Sequence, residues 1–177
     1  MTETLTVAQP TDPLPATAFE DLYRSSAGDV YAYVASLLHD RAAAEEVTAL
    51  AFERAFRRRH LYRARRGTAR QWLFGIARNA ALDELRRVSR QASLTGDLVD
   101  DPVPDPEESV EHSLRRAALS GAIRGLAPAD RELVALKFFA GLSNREIAGV
   151  LRISESNAGS RLHRVLVDLR EQCSVTQ

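Results

Sequence analysis

The stretch that decides the fold is Arg70–Arg87, which reads RQWLFGIARNAALDELRR. When its residues are placed about 100° apart around a helix, one side is apolar and the other carries a polar stripe. The apolar side consists of Leu73, Phe74, Ala77, Ala80, Ala81, Leu85 and Val88. The stripe, continued by one turn, consists of Trp72, Gly75, Asn79, Asp83, Arg86 and Arg90. This pattern predicts a helix that buries its apolar side against neighbouring helices.

The same helix lies in a local concentration of positive charge. The block Arg54–Arg90 holds twelve arginines, two acids and the only tryptophan, in a chain of 177 residues whose formal net charge is zero. A dense arginine surface with an aromatic ring is typical of proteins that bind a polyanion with stackable bases. The alternative for any single arginine is ordinary solvated surface.

Charge also divides the chain into segments. Residues 19–91 hold fourteen arginines and nine acids, a net +5, and residues 114–177 hold nine arginines and Lys137 against six acids, a net +4. Between them, residues 92–113 hold seven acids and no base. Repelling acids interrupted by prolines predict a flexible acidic linker over residues 92–112. Residues 1–18 lack the basic start of a secretory signal and are expected to be a disordered tail.

Helical spacing predicts an all-α fold of two small domains, residues 19–91 and residues 113–172. The helices of the first domain are expected at Phe19–Leu38, at Arg41–Arg58 after an Asp40 N-cap, and from about Thr68 to Arg90. Those of the second are expected at Ser113–Leu126, Pro128–Phe139, Ser143–Leu151 and from a Ser154 N-cap to about Glu171. Ser143 and Glu146 have the spacing of a capping box.

The last two helices have the spacing of a helix-turn-helix motif around the turn at residues 152–154. The second helix presents a polar stripe that suits a DNA major groove, made of Asn157, Ser160, Arg161, Arg164 and Asp168. The alternative is a purely structural helical hairpin. Similarly, Trp72 is either a base contact or a residue at the edge of the core, and Asn79 is either a base contact or an exposed amide.

Several classes of function lack support in the sequence. The single cysteine, Cys173, excludes an intramolecular disulfide and fits a reducing compartment, so the chain is expected to be cytoplasmic. No apolar run approaches the ~18–20 residues that span a bilayer, so no membrane insertion is expected. No zinc spacing, nucleophile elbow, phosphate loop or pair of catalytic carboxylates stands out. We therefore expect no metal, no cofactor and no enzymatic activity.

Four motifs, taken in order, resemble the extracytoplasmic-function (ECF) group of bacterial sigma factors, the two-domain initiation subunits of RNA polymerase. Arg70–Arg87 resembles the helix that melts the minus-ten element, and AEEVTALAFERAF at Ala44–Phe56 resembles the preceding helix that grips the core enzyme. LAPADRELVALKFFAGLSNREIAGVLRIS at Leu126–Ser154 and SRLHRVLVDLR at Ser160–Arg170 resemble the domain that reads the minus-thirty-five element. The resemblance covers roughly residues 19–171.

The resemblance implies a region 2 type domain and a region 4 type domain that direct promoter recognition, strand opening and transcription initiation. It implies core RNA polymerase, through its β′ clamp and β flap, and promoter DNA as partners, and it leaves room for an anti-sigma factor between the domains. The implied minus-ten contacts are Arg65, Arg66, Trp72, Asn79, Arg86 and Arg87. The implied minus-thirty-five contacts are Asn157, Ser160, Arg161 and Arg164. The implied core-polymerase contacts are Glu45, Glu46, Thr48, Ala49, Leu50 and Phe52. The alternative function is a stand-alone helix-turn-helix regulator that does not depend on the polymerase.

The chain also departs from the family pattern. Ala49 and Leu50 stand where Gln and Glu are usual, which alters the surface expected to contact the core enzyme. Arg152 replaces a common glycine in the turn, and this costs on the order of 1 kcal/mol if the site needs a positive φ. The recognition helix reads Asn157-Ala158-Gly159-Ser160-Arg161 in place of Thr-Val-Lys-Ser-Arg.

Overall fold

The structure is a computed structural model that describes residues 13–95 and 119–174. All regular structure in these two ranges is helical, which confirms the all-α prediction. The helices are α1 (Ala16–Leu38), α2 (Arg41–Arg57), α3 (Ala69–Thr95), α4 (described over residues 119–125), α5 (Pro128–Phe138), α6 (Asn144–Leu151) and α7 (Glu155–Ser174). Two short 3₁₀ turns, Arg59–Leu61 and Ala64–Arg66, join α2 to α3. Most of the predicted tail and linker lies outside the described residues. The structure differs from the tail prediction at residues 13–18, because α1 begins at Ala16 and Leu14 is buried in the core. It also differs at the start of the linker, because α3 continues five residues past its predicted end at Arg90.

Polar caps explain where the helices begin. Asp40 accepts a hydrogen bond from the amide three residues on at 3.0 Å, and Ser154 does the same at 3.1 Å. Ser143 and Glu146 form the predicted capping box at the start of α6. Thr68, which was not predicted as a cap, accepts from the Gln71 amide at 3.0 Å and starts α3. Each side chain satisfies an amide that the first turn of a helix leaves without a partner.

The first three helices form one packed unit. Its buried apolar residues include Val30, Tyr33 and Val34 of α1, Ala44 and Ala51 of α2, and Leu73, Phe74 and Ala77 of α3. The predicted apolar side of α3 is thus confirmed over its first half. Val88 was expected on that side too, but 47% of it is exposed. The neighbouring helices therefore bury the apolar side of α3 only as far as the turn before Val88.

The second unit is built by α5, α6 and α7 around Leu133, Leu136, Leu142, Ile147, Ala158 and Leu162. These residues belong to the same apolar core as those of α1 to α3. The units meet where α6 packs on α3 and α5 packs on α1. The sequence predicted two domains joined by a flexible acidic linker. Helical periodicity did not predict the direct packing between them.

The turn of the helix-turn-helix motif carries backbone strain. Arg152 ends α6 with a φ of 58°, in the left-handed region, and the Ile153 amide donates to the Ala148 carbonyl at 3.0 Å. Glycine is favoured in such a helix end because it has no Cβ to crowd the backbone. Arg152 therefore has the positive φ at which a residue other than glycine costs on the order of 1 kcal/mol.

We predict that Arg152→Gly raises the free energy of unfolding by about 1 kcal/mol, because glycine removes the left-handed penalty. Urea denaturation monitored by circular dichroism measures this change. Arg152→Ala is the matched control: it also removes the charge but keeps the Cβ, so it should give no such gain. Equal stability of the two variants would contradict this account of the turn.

Candidate nucleic-acid interface

A cleft of about 790 Å³ lies between the start of α3, the loop before it and the end of α6. We refer to it as the basic cleft, because arginines line it and no carboxylate is among its described lining residues. The arginines are Arg58, Arg63, Arg66, Arg78 and Arg152, and the other polar or aromatic groups include Tyr62, Gln71, Trp72 and Asn79. Both units contribute walls, so the cleft depends on how they pack.

Trp72 is one of the residues that line the basic cleft. It is half-buried, packs against the core and also lines the cleft, so the core-edge position is confirmed and the base contact stays a prediction. Its ring lies 5.6 Å from that of Tyr62, at an interplanar angle of 56°. The Tyr62 hydroxyl donates to the Gly67 carbonyl at 3.1 Å, and burial raises the pKa of Tyr62. This pairing holds the loop before α3 against the tryptophan.

The loop also depends on Gly67. Its φ of 141° is one that side-chain-bearing residues rarely adopt. A Cβ at this position would in addition overlap the side-chain amide of Gln71. The chain can therefore turn tightly into α3 and leave the neighbouring arginines facing outward.

The structure brings together only part of the predicted minus-ten set. Trp72, Asn79 and Arg66 line the basic cleft, and Asn79 is exposed there. Arg65 is exposed and lines a second cleft of about 770 Å³ beside the first. The other two predicted contacts, Arg86 and Arg87, lie farther along α3 and line neither cleft.

Both arginines form ion pairs with acidic residues of α3. Arg86 donates to Asp83 of the preceding turn at 3.3 Å. Arg87 donates to both carboxylate oxygens of Glu84, at 2.8 and 2.6 Å. These hydrogen bonds lower the pKa of Glu84 and raise that of Arg87, so both groups stay charged at neutral pH.

Several residues of the basic cleft were not predicted as contacts, and among them Arg78 connects the two units. Its Nε and Nη2 donate to the two carboxylate oxygens of Glu132, at 2.7 and 3.0 Å. The Tyr33 hydroxyl donates to the same carboxylate at 3.2 Å. We call these three residues the Arg78–Glu132 clasp. It joins α1 and α3 of the first unit to α5 of the second.

The environment of the clasp fixes its protonation. Only 8% of Glu132 is exposed, and Tyr33 is fully buried. Burial, reinforced by the negative charge of Glu132, raises the pKa of Tyr33 well above its ordinary value, so the phenol stays neutral and donates. The hydrogen bonds to Glu132 raise the pKa of Arg78, so the guanidinium stays charged.

Two further polar contacts cross between the units. Arg70 of α3 donates to the Ala140 carbonyl after α5, while also pairing with Asp29 of α1 at 2.6 Å. The Thr68 hydroxyl donates to Glu146 at 2.9 Å, so the caps of α3 and α6 touch. Burial alone would raise the pKa of Glu146. Hydrogen bonds from Ser143 and Thr68, together with the charge of Arg70, outweigh burial and lower it.

The predicted minus-thirty-five set lies on α7. Asn157, Ser160 and Arg164 are exposed on this helix, as a groove-reading surface requires. Arg161 is different, because it is half-buried and pairs with Asp130 of α5 at 2.6 Å. The structure has room for a side chain at Gly159, because an added Cβ would lie 3.5 Å from the Asn144 side chain, which is an ordinary contact distance.

The predicted core-polymerase set lies on α2 and is mixed in exposure. Glu45, Glu46 and Ala49 are exposed, and Leu50 is half-buried. Phe52 is buried, with its ring edge-on to those of Phe19 and Tyr23. The hydroxyl of Thr48 is buried without a hydrogen-bond partner among the described residues. The surface formed by this predicted set is therefore acidic and partly apolar, and the aromatic rings lie beneath it.

No helix in the described ranges is both long and apolar enough to cross a bilayer. Nor does the described part of the chain bring three or more histidine, cysteine or acidic side chains together as metal ligands.

Comparison with known proteins gives consistent matches along the chain. Residues 22–91 match the family model of sigma-70 region 2, and residues 116–169 match that of sigma-70 region 4. CarQ of Myxococcus xanthus, an RNA polymerase sigma factor, is 36% identical over 155 residues, covering 87% of this chain and 88% of CarQ. The ECF RNA polymerase sigma factor SigM of Bacillus subtilis is 28% identical over 146 residues, covering 82% and 88%.

A solved structure shows the same fold. The sigma factor RpoE from Bartonella quintana, in complex with the anti-sigma factor NepR, matches with a TM-score of 0.73 at 19% identity. The match covers 92% of this chain and 100% of the RpoE chain.

We predict that the Arg161–Asp130 pair stabilises the second unit. In a double-mutant cycle, Arg161→Ala and Asp130→Ala should couple by about 0.5–1 kcal/mol in the free energy of unfolding, as expected for a partly exposed pair. The control is Arg164→Ala, which should change stability by less than about 0.5 kcal/mol. Arg164→Ala should instead weaken binding to duplex DNA, and it should reduce the slope of log K against the logarithm of the salt concentration by about one. Zero coupling would show that the ion pair contributes nothing in solution.

Proposed function

The chain belongs to the ECF RNA polymerase sigma factors, and we propose that its basic cleft and the exposed face of α7 are its two promoter contacts. As a member of this family it is an alternative sigma factor, which binds core RNA polymerase and directs promoter recognition and transcription initiation. We propose that it acts in the cytoplasm and performs no chemistry of its own, since the polymerase makes the phosphodiester bonds.

The observation that carries the proposal is the composition of the basic cleft. A single-stranded nucleic acid needs positive charge for its phosphates and a ring on which a base can stack. Trp72 supplies that ring, held by Tyr62 at 5.6 Å, and Asn79 supplies an exposed amide for a base edge. Arg66 and its neighbours supply the charge. This set fits bases of the minus-ten element that have left the duplex.

The second unit would read duplex DNA. Asn157, Ser160 and Arg164 extend from one exposed face of α7, the helix that enters the major groove in a helix-turn-helix protein. Arg164 is suited to a phosphate or a guanine edge. Arg161, which is held by Asp130, would contact DNA from a fixed position at the edge of this face.

Contacts with the polymerase would come from both units. We assign one surface of α2 to the β′ clamp. It consists of the exposed residues Glu45, Glu46 and Ala49 and the half-buried Leu50. The second unit, residues 113–172, would contact the β flap. The matched RpoE structure is a complex with an anti-sigma factor. A partner of this kind that covered both units of this chain would block these surfaces together.

The proposed function predicts that the purified chain co-elutes with bacterial core RNA polymerase in size-exclusion chromatography. The complex should initiate at discrete sites on genomic DNA of the source organism, mapped by sequencing transcript 5′ ends, whereas core enzyme alone should give only background. Within this complex, Trp72→Ala should keep core binding but reduce permanganate reactivity of unpaired promoter thymines by about tenfold, because stacking contributes ~1–3 kcal/mol per base.

Trp72→Phe is the matched control, since it retains an aromatic face and should preserve part of the reactivity. Unchanged reactivity of Trp72→Ala would assign Trp72 to the core alone. Sequence-specific DNA binding by the free chain, without co-elution, would instead support a stand-alone helix-turn-helix regulator.

A further inference from the structure

Uncompensated positive charge collects at the basic cleft and at the second cleft beside it. Elsewhere on the surface, exposed arginines pair with acids one helical turn away, as Arg24 does with Glu20 and Arg57 with Glu53. Five exposed arginines that line the two clefts differ, because no ion pair or hydrogen bond within residues 13–95 and 119–174 holds their side chains. These unpaired cleft arginines are Arg58, Arg65, Arg66, Arg145 and Arg152.

The unpaired cleft arginines come from both units. Three lie in the first unit, and two, Arg145 and Arg152, lie at α6 of the second. Together the two clefts are lined by seven arginines and by one acid, Glu146, which already accepts hydrogen bonds from Ser143 and Thr68. Like charges gathered around a cleft repel one another, and such a cleft concentrates ions of the opposite charge. The arrangement therefore favours an anion that carries several charges.

An aromatic pair lies among these charges. Trp72 lines the basic cleft and Tyr62 lines both clefts, with their rings 5.6 Å apart. Stacking of a nucleobase on an aromatic ring contributes ~1–3 kcal/mol. In a nucleic-acid strand each base is accompanied by one phosphate charge, whereas here one aromatic pair is accompanied by five unpaired guanidinium groups. A nucleoside polyphosphate, which joins one base to a short chain of phosphates, matches this ratio more closely than a strand does.

The two clefts have the size and the connection that such a ligand needs. Their volumes, about 790 and 770 Å³, lie within the range of about 300–1,000 Å³ that is typical of small-molecule sites. The clefts adjoin, since Arg66, Gln71 and Gly149 line both of them. Gly149 permits this close approach of α6, because an added Cβ would overlap the Gln71 amide. A phosphate chain can therefore extend from the aromatic pair past Arg66 toward Arg145.

We propose that the two clefts together form a binding site for a nucleoside polyphosphate, with the base on Trp72 and the phosphates among the unpaired cleft arginines. Arginine suits the phosphate chain because a guanidinium group can donate two parallel hydrogen bonds to one phosphate. The ligand binds the free chain and needs neither DNA nor polymerase. Trp72 is also the ring that we assign to a minus-ten base, so a bound ligand competes with promoter DNA; this consequence alone rests on the proposed function.

The chain has a single tryptophan, so its intrinsic fluorescence reports directly on this site. The full free chain is titrated with ATP, ADP and AMP, and with adenosine, which has the base but no phosphate. Tripolyphosphate, which has the charge but no base, serves as a competitor.

Two variants, Arg58→Gln and Arg145→Gln, each remove one unpaired charge, the first from one unit and the second from the other. The matched control is Arg24→Gln, the same change at an exposed arginine that lines neither cleft. Circular dichroism and a thermal melt establish that each variant is folded.

We expect ATP to quench the fluorescence and to bind about tenfold more tightly than AMP, and we expect tripolyphosphate to displace ATP without quenching. Arg58→Gln and Arg145→Gln should each weaken ATP binding by about fivefold, whereas Arg24→Gln should bind ATP like the unmodified chain. Three results would overturn the site: no quenching at about 1 mM ATP, equal binding of AMP and ATP, or an equal loss of affinity in all three variants, which would indicate attraction to net charge alone.

These titrations use the free chain. Failure of the chain to co-elute with core polymerase would therefore overturn the proposed function and leave the nucleotide site standing.

Discussion

The packing of the two units depends on a carboxylate taken out of water. Glu132 is buried at the seam, and a buried charge is tolerated only when opposite charge and hydrogen bonds surround it. Arg78 and Tyr33 supply both from the other unit. Because three helices must be in place for the carboxylate to be satisfied, this contact, together with the shared apolar core, fixes the position of α5 relative to α1 and α3.

The charge distribution explains why such a contact is needed. The segments that hold the two units are both positive, with net charges of +5 and +4 by sequence, and like charges oppose their association. Where the units meet, this repulsion is relieved locally, because Glu132 of the second unit pairs with Arg78 of the first and Glu146 feels the positive charge of Arg70. The same arginine-rich surfaces suit a polyanion when the units are apart. The charge that we propose for DNA binding is thus partly neutralised where the units pack together.

Local features of the fold were predictable from the sequence because they depend on residues a few positions apart. The N-caps Asp40 and Ser154 and the capping box at Ser143 lie where the sequence placed them. The helix-turn-helix spacing and the polar face of α7 follow from the same short-range rules. Trp72 and Asn79 were identified as site residues, and the structure places both in one cleft.

The packing of one unit on the other was not predictable by these rules. Arg78 and Glu132 are 54 positions apart, and helical periodicity carries no information on pairing across such a distance. One signal was present: Glu132 precedes Leu136 by one helical turn and therefore falls on the buried face of α5. A charged residue on an apolar face requires a partner, and Arg78 follows Phe74 on the buried side of α3 in the same way.

Small-angle X-ray scattering of the free chain, in dilute solution at moderate salt, tests the closed arrangement most directly. A compact chain of 177 residues should have a radius of gyration of about 16 Å and a distance distribution with a single maximum. Glu132→Gln should increase the radius of gyration and broaden the distribution. A free chain that already scatters as two separated bodies, with a second maximum, would contradict the closed arrangement and the role given to the Arg78–Glu132 clasp.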